Sequence, residues 1–275
     1  MSAAAAEKGA KSALIERFGF LGGMATAGYV NPMSEFSYNG RQVVGGMAWR
    51  FAQKLIENGG GLVEASRCNV SFNPEIYKLT AQQLLNDAGV VCYMNTVIID
   101  CTMENDRVSS VVVSNKSGIC ALEADYFIDA TGDADLCAMA GVEFLPQVEA
   151  MQPGCITVNM TRSAMNAVDS EDYQQAEYKM RRDVFRLVEL MREHVEEFKN
   201  CYITAVATVA GIRESRRISS DYEAFAAIRV QAPCMETGQA AGYAAAMCLK
   251  NGKQAVQDID TAELVRQVHE AGSFV

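Results

Sequence analysis

Residues 1–23 constrain the fold of this chain more than any other stretch. The alanine-rich run Ala3–Lys8 predicts a helix, and Gly9 follows it where a glycine can adopt the left-handed conformation that ends a helix. The short apolar run Ala13–Ile15 then predicts a strand that leads directly into an acidic residue, Glu16. We interpret this order as the second half of a β-α-β unit and expect an α/β fold.

Glu16 occupies a position with a known chemical use. In dinucleotide-binding β-α-β units, an acid at the tip of the second strand hydrogen-bonds a ribose hydroxyl, about 20 residues after a glycine-rich turn that holds the pyrophosphate. Counting back about 20 residues from Glu16 passes the first residue of the sequence. The sequence therefore predicts the ribose-binding acid without the phosphate-binding turn.

The composition excludes several classes of protein. The 275 residues are enough for one large domain or two small ones. The net charge of −10 argues against a general affinity for nucleic acid, which needs clustered lysine and arginine. No apolar run approaches the roughly 20 residues of a membrane span, and the N-terminus lacks the basic region of a secretion signal.

The cysteines indicate reduced thiols rather than disulfides. The nine cysteines form no Cys-x-x-Cys pair, and the two histidines, His194 and His269, are far apart in sequence. This pattern favours a cytoplasmic protein without a metal site. A catalytic Cys–His pair stays a lesser alternative.

Helical and strand patterns alternate along the rest of the chain. Helices are predicted over Val44–Asn58, from Pro74 (with Asn73 as N-cap) to just before Gly89, and over Asp133–Ala140, Asp169–Lys199, Thr237–Asn251 and Thr261–Ala271. Strands are predicted over Val90–Met94, Tyr126–Ala130, Gly154–Met160 and Cys201–Val209, with an antiparallel meander over Thr96–Met103, Arg107–Ser114 and Ile119–Glu123.

Two glycine-bearing stretches resemble ligand-binding turns. Small residues fill Gly22–Gly28, where the backbone can approach a flat ligand or a phosphate closely, although a plain flexible loop is the alternative. In Ile128–Leu136, an apolar run leads through Thr131 and Gly132 into a helix that Asp133 can cap. That turn either contacts a nucleotide or is a capped turn without a ligand.

Two further stretches lie near the C-terminus. Small residues open the helix at Thr237–Ala246, so its N-terminal N–H groups can approach an anion, and close helix packing is the alternative. In Gly211–Arg217, three arginines surround an acid directly after a predicted strand. Arginine suits carboxylates and other anions, and a surface salt-bridge cluster is the alternative.

Together these motifs resemble one family. Residues 16–28 (ERFGFLGGMATAG), 128–133, 211–217 and 234–246 are similar to segments of the FAD-dependent oxidoreductases related to the glutathione-reductase and fumarate-reductase flavoproteins. The resemblance covers most of residues 3–150 and 206–267. It implies a glutathione-reductase-like, Rossmann-type parallel sheet with a β-meander, plus a smaller α+β substrate domain.

The resemblance also implies roles for individual residues. Glu16 would bind the adenosine ribose, and Arg17, Gly22, Gly23 and Met24 would line the pyrophosphate and flavin. Thr131 and Gly132 would lie by the adenine half of FAD, and Gly238 and Gln239 would direct a helix N-terminus at the flavin. Arg213 and Arg216 would face a small, anionic substrate, and hydride would pass between this substrate and the flavin.

The sequence departs from the family in two places. The G-x-G-x-x-G turn is not found ahead of the first helix, and a segment of roughly sixty residues is not found near Tyr222. Both pieces contact the pyrophosphate in relatives, so we expect impaired FAD binding. The domain boundaries implied are a discontinuous FAD-binding-like domain, 1–148 and 205–275, and a substrate or cap region, 149–204.

Three functional hypotheses follow from the sequence. The first is a flavin-dependent oxidoreductase, truncated and impaired in FAD binding, with a homo-oligomer left open. The second is a cofactor-free pseudoenzyme that acts as a scaffold or binding protein. The third is a thiazole-synthase-like protein that uses Cys155 or Cys234, although buried packing is the commoner role of such thiols.

Overall fold

The computed structural model describes residues 1–65, 68–132, 134–142, 163, 170–194, 199, 230–252 and 255–274. The helices there are α1 Ser2–Glu7, α2 Gly46–Glu57, α3 Pro74–Asp87, α4 Asp135–Met139, α5 Ser170–His194, α6 Gln231–Asn251 and α7 Thr261–Glu270. The strands are β1 Ala13–Ile15, β2 Ser37–Tyr38, β3 Arg41–Gln42, β4 Gly61–Val63, β5 Val70–Phe72, β6 Val91–Tyr93, β7 Val97–Glu104, β8 Arg107–Asn115 and β9 Gly118–Glu123. These elements form a mixed α/β fold.

The N-terminal unit has the predicted helix and strand. Gly9 adopts the left-handed conformation after α1, with φ of +89°. β1 then pairs in parallel with β6, with Ala13 opposite Val91 and Ile15 opposite Tyr93. The prediction of a parallel α/β arrangement from the first 23 residues is confirmed.

The helix that precedes β6 is set by its terminal residues, as predicted. The Asn73 side chain accepts hydrogen bonds from the N–H groups of Glu75 and Ile76, and Pro74 opens α3. Proline is tolerated there because its missing N–H would have no partner in the helix. Gly89, with φ of +70°, follows the end of the helix.

The predicted meander is also present. β7, β8 and β9 form one antiparallel sheet in that order. Asn105 and Asp106 connect β7 to β8 with φ of 47° and 62°, the left-handed pair of a type I′ hairpin turn. Asparagine and aspartate tolerate this conformation better than other residues with side chains.

Three hydrophobic cores lie among the described residues. The first surrounds Phe51 and Leu55 of α2, and the second joins α1, α2, α3, α6 and α7. The third consists of Val111, Val113 and Leu136, with Ile15 and Phe127 packed against them. This third core connects the end of β1 to the meander and to α4.

Two small sheets were not predicted. β2 and β3 form a hairpin around Asn39 and Gly40, and β4 pairs antiparallel with β5. Strands of two or three residues are too short to show an alternating pattern, so the sequence carries little signal for them.

Two element predictions are wrong. Residues 126–130 are half-buried, apart from the exposed Ala130, and form no strand. The Asp129 side chain instead accepts a hydrogen bond from the Thr131 N–H, a local bond that competes with strand pairing. α6 begins at Gln231 instead of Thr237, and Pro233 in its first turn is tolerated because N–H groups there lack helical partners.

The strands predicted at 154–160 and 201–209 lie outside the described residues. The helix predicted at 169–199 is described over Ser170–His194. Among the described helices, none is both long enough and apolar enough to cross a membrane.

Candidate functional site

Glu16 lies at the carboxyl end of the parallel strand pair. Its N–H donates to the Tyr93 carbonyl over 2.9 Å, and its carbonyl accepts from the Thr96 N–H over 2.9 Å. The bond to Tyr93 extends the pairing of β1 with β6 by one residue, and the two bonds together fix the backbone at this position. Ligands of open α/β sheets bind at the carboxyl edge, so Glu16 is well placed to meet one.

The Glu16 side chain is half-buried and already oriented. Its Oε1 accepts a hydrogen bond from the Phe18 N–H over 2.9 Å. Burial raises the pKa of Glu16 above its ordinary value, against the opposing effects of the Phe18 N–H, the Arg17 charge and the Arg17 N–H. A carboxylate has lone pairs for several hydrogen bonds, so the group can also accept from a ligand hydroxyl.

A ladder of cations and aromatic rings orders the residues after Glu16. The rings of Phe18 and Phe20 stack with centroids 5.3 Å apart and planes 7° apart. The Arg17 guanidinium lies 5.7 Å from the Phe18 ring, and the Lys78 ammonium lies 4.4 Å from the Phe20 ring. Sequence reasoning missed this ladder because one of its cations comes from α3.

Gly22 and Gly23 have different structural roles. Gly22 has φ of +114°, and a Cβ there would lie 2.5 Å from the Thr26 methyl and 3.0 Å from the Tyr77 ring. Gly23 has φ of +48°, and nothing lies within 4 Å of its Cβ position. Gly22 therefore serves internal packing, whereas Gly23 presents open backbone.

The loop that follows is packed rather than flexible. Residues 23–25 form a short 3-10 helix, and the Thr26 hydroxyl donates to the Leu21 carbonyl over 2.7 Å. Ala25, Thr26 and Ala27 are buried. The half-buried Met24 side chain fills the space beside Gly28, where a Cβ would collide with it.

The turn before α4 contains Thr131 and Gly132. The Thr131 hydroxyl accepts from the Asp135 N–H over 2.8 Å, so Thr131 caps the first turn of α4. Asp133, the predicted cap, lies outside the described residues. Gly132 has φ of +98°, which a glycine adopts without strain.

The third core connects the two predicted nucleotide contacts. Ile15, directly before Glu16, packs in the same cluster as Phe127 and Leu136, which flank the Thr131–Gly132 turn. The end of β1 and the start of α4 therefore rest on shared side chains of the meander.

Gly238 and Gln239 do not lie at a helix N-terminus, which corrects their predicted placement. Both lie well inside α6, because this helix begins at Gln231. Gln239 is fully buried, and its Oε1 accepts from the Met47 N–H over 2.7 Å at the start of α2. Glu236 accepts from the Gly45 N–H over 2.8 Å in the same region. α6 thus caps α2 with two side chains.

The glycines of α6 allow close packing against α1. A Cβ at Gly238 would lie 3.1 Å from the Met1 side chain, and one at Gly242 would lie 2.8 Å from the Ala4 Cβ. The alternative interpretation of this small-residue stretch, close helix packing, is confirmed.

Four predicted catalytic or substrate-binding residues remain. Three of them lie outside the described residues: Arg213, Arg216 and Cys155. Cys234 is half-buried in α6. Within the described ranges, no three His, Cys, Asp or Glu side chains are grouped so that they can hold a metal ion.

These features fit α/β proteins that bind a dinucleotide at the carboxyl edge of a parallel sheet. A family model described as FAD dependent oxidoreductase matches residues 2–152, 145–223 and 218–268. The chain belongs to this family.

A solved structure gives a weaker comparison. The chain is 21% identical to THI4 of Thermovibrio ammonificans, over 50% of this chain and 55% of that one, with a TM-score of 0.38. The chain therefore spans about half the length of this solved protein. No curated protein sequence matches the chain significantly.

Proposed function

We propose that this chain binds FAD at the carboxyl edge of β1 and β6 and acts as an oxidoreductase on a small molecule. Membership in the family supports this function. The single observation that carries the site is Glu16, a half-buried and oriented carboxylate at the carboxyl edge of the parallel strands. The proposed arrangement is glutathione-reductase-like, with residues 1–148 and 205–275 around FAD and 149–204 as the substrate region.

Three features of the described residues fit FAD. Glu16 offers a carboxylate to a ribose hydroxyl, Gly23 offers open backbone to the pyrophosphate, and the Thr131–Gly132 turn shares a core with β1. FAD, when bound, supplies the hydride chemistry, and the protein supplies position and electrostatics. Arg17 and Met24 would line the cofactor, and Arg213 and Arg216 would bind an anionic substrate.

One observation favours a second candidate, a scaffold that binds no FAD. Gly238 and Gln239 lie inside α6, and the Gln239 carbonyl oxygen caps α2. In this arrangement the N–H groups of the two residues belong to helix interior and do not point at a ligand. This removes one of the predicted flavin contacts and leaves the other three features to hold the cofactor.

An FAD titration of the purified chain separates the two candidates. The first predicts a yellow protein with a flavin absorption band, or uptake of added FAD with quenching of flavin fluorescence. We expect Glu16→Ala to weaken FAD binding by about 1–3 kcal/mol, the value of a hydrogen bond to a charged group. Glu104→Ala, at the exposed end of β7, is the matched control and should bind like the wild type.

The outcomes are distinct. A colourless chain that takes up no added FAD would overturn the first candidate and support the scaffold. Equal FAD affinity in Glu16→Ala and the wild type would instead reject the assignment of Glu16 while leaving FAD binding in place.

A further inference from the structure

The Asp129 side chain joins the two ends of the turn that precedes α4. Its Oδ1 accepts from the Thr131 N–H over 2.9 Å and from the Thr131 hydroxyl over 2.7 Å. Its Oδ2 accepts from the Cys137 N–H over 3.0 Å, and the Cys137 thiol also donates to it. One carboxylate thus holds residues that lie two and eight positions further along the chain.

The hydrogen of the Thr131 hydroxyl is already used in a bond within the turn. It donates its only hydrogen to Asp129 and accepts from the Asp135 N–H. A hydroxyl carries a single hydrogen, so the Thr131 side chain has none to donate to a ligand. A ligand that accepts a hydrogen bond from this turn would therefore take it from a backbone N–H rather than from the Thr131 hydroxyl.

Charge strengthens the arrangement. Burial acts to raise the pKa of Asp129, but the hydrogen bonds from Thr131 and Cys137 outweigh burial and hold this pKa below its ordinary value. Asp129 is therefore ionised at neutral pH and forms charge-assisted hydrogen bonds. Burial, followed by the hydrogen bond to Asp129 and its charge, raises the pKa of the Cys137 thiol to about 11.

The turn needs such a brace because its backbone is strained at Ala134. Gly132 adopts its φ of +98° without strain, but the buried Ala134 has φ of +60°. An alanine is strained in the left-handed region, so surrounding contacts must hold it there.

We propose that Asp129 is a positioning residue, which holds the Thr131–Gly132 turn in the shape that receives the adenosine half of FAD without touching the cofactor. Both of its oxygens are occupied by donors of the protein itself. This inference rests on the proposed function, and it adds a residue that acts through the shape of the turn.

The test compares Asp129→Asn with the wild type in two measurements. The first is FAD affinity, by quenching of flavin fluorescence. The amide places an NH₂ group against one of the donors, so we expect the affinity to fall about tenfold, which corresponds to the loss of one hydrogen bond to a charged group.

The second measurement is the pH dependence of Cys137 alkylation by iodoacetamide, followed on the peptide that contains Cys137 by mass spectrometry. The pKa of Cys137 should fall towards the ordinary cysteine value of about 8.5.

Two controls separate positioning from loss of structure. Asp100→Asn changes another aspartate that lies beside a cysteine. Asp100 accepts from the Cys101 N–H over 2.8 Å, and its charge is the second cause, after burial, of the raised pKa of Cys101. This variant should lower the pKa of Cys101 and leave FAD affinity unchanged. Cys248 is fully buried and should resist alkylation in every folded variant.

Variants of Thr131 test the same brace from its other side. Thr131→Val removes the hydroxyl and should lose as much affinity as Asp129→Asn, whereas Thr131→Ser keeps the hydroxyl and should lose less affinity than Thr131→Val. An Asp129→Asn protein that binds FAD within twofold of the wild type would overturn the positioning role. If the wild type takes up no FAD, the proposed function fails and this role fails with it. A loss confined to Asp129→Asn and Thr131→Val leaves the proposed function standing and supports the role.

Discussion

Glu16, the proposed ribose-binding residue, carries a cost in stability at the scale of a single residue. The fold buries the carboxyl group partly and raises its pKa, so the folded protein binds a proton there more tightly than the unfolded chain does. Stability from this group is therefore present at low pH and is lost as the pH rises through the raised pKa. At neutral pH the ionised group therefore destabilises the fold relative to its protonated form, despite the hydrogen bond from the Phe18 N–H.

Glu16→Gln tests this balance. The amide keeps an acceptor for the Phe18 N–H but carries no charge, so we expect a higher melting temperature than the wild type at pH 7. The difference should shrink as the pH falls towards the ordinary glutamate pKa of about 4.3. Thermal melts of apo-protein across this pH range provide the measurement. A variant that melts below the wild type at pH 7 would show that the carboxylate stabilises the fold.

At the scale of elements, local sequence signals set most boundaries. Gly9 ends α1, Asn73 and Pro74 begin α3, and Asn105 and Asp106 turn the meander, each through a conformation that neighbouring residues alone determine. Such signals are readable in the sequence because they need no distant partner. The position of Glu16 at the end of β1 was readable for the same reason.

Contacts between distant elements were not readable. The Gln239 carbonyl oxygen caps α2 at Met47, 192 residues earlier in the chain. The sequence of α6 alone gave no sign of this partner, and its small residues favoured a helix start at the wrong place. The network around Asp129 was missed because its donor at Cys137 becomes a neighbour only once α4 has formed.

Gln239→Ala tests the contact between α6 and α2. The change removes the acceptor of the Met47 N–H and leaves a cavity in a fully buried site. We expect the free energy of unfolding to fall by about 2–3 kcal/mol, from a lost helix cap together with lost packing. Urea denaturation provides the measurement, with the exposed Gln257→Ala as control. A loss no larger than that of the control would mean that α2 does not depend on this cap.

At the scale of the whole molecule, the third core decides whether separate motifs act as one site. Val111 and Val113 of the meander contact the cluster that holds Ile15 on one side and Leu136 on the other. Glu16 and the Thr131–Gly132 turn, the proposed ribose and adenine contacts, are distant in sequence, and this core links them through packed side chains. FAD affinity should therefore depend on side chains of the third core, even though these side chains do not contact the cofactor in the proposed arrangement.

Val111→Ala and Val70→Ala make this dependence measurable. Both valines are almost fully buried, and we expect each change to lower the free energy of unfolding by about 2 kcal/mol. Val70 lies in the first core, which contains no residue of β1 or α4 and reaches the proposed site only through Ala25, so its loss should weaken FAD binding less than the loss of Val111 does. Val111→Ala should weaken FAD binding several-fold, because its core supports both predicted contacts. FAD titrations well below each variant's melting temperature keep both chains folded. Equal affinity in the two variants would mean that Glu16 and the Thr131–Gly132 turn do not act through a shared core.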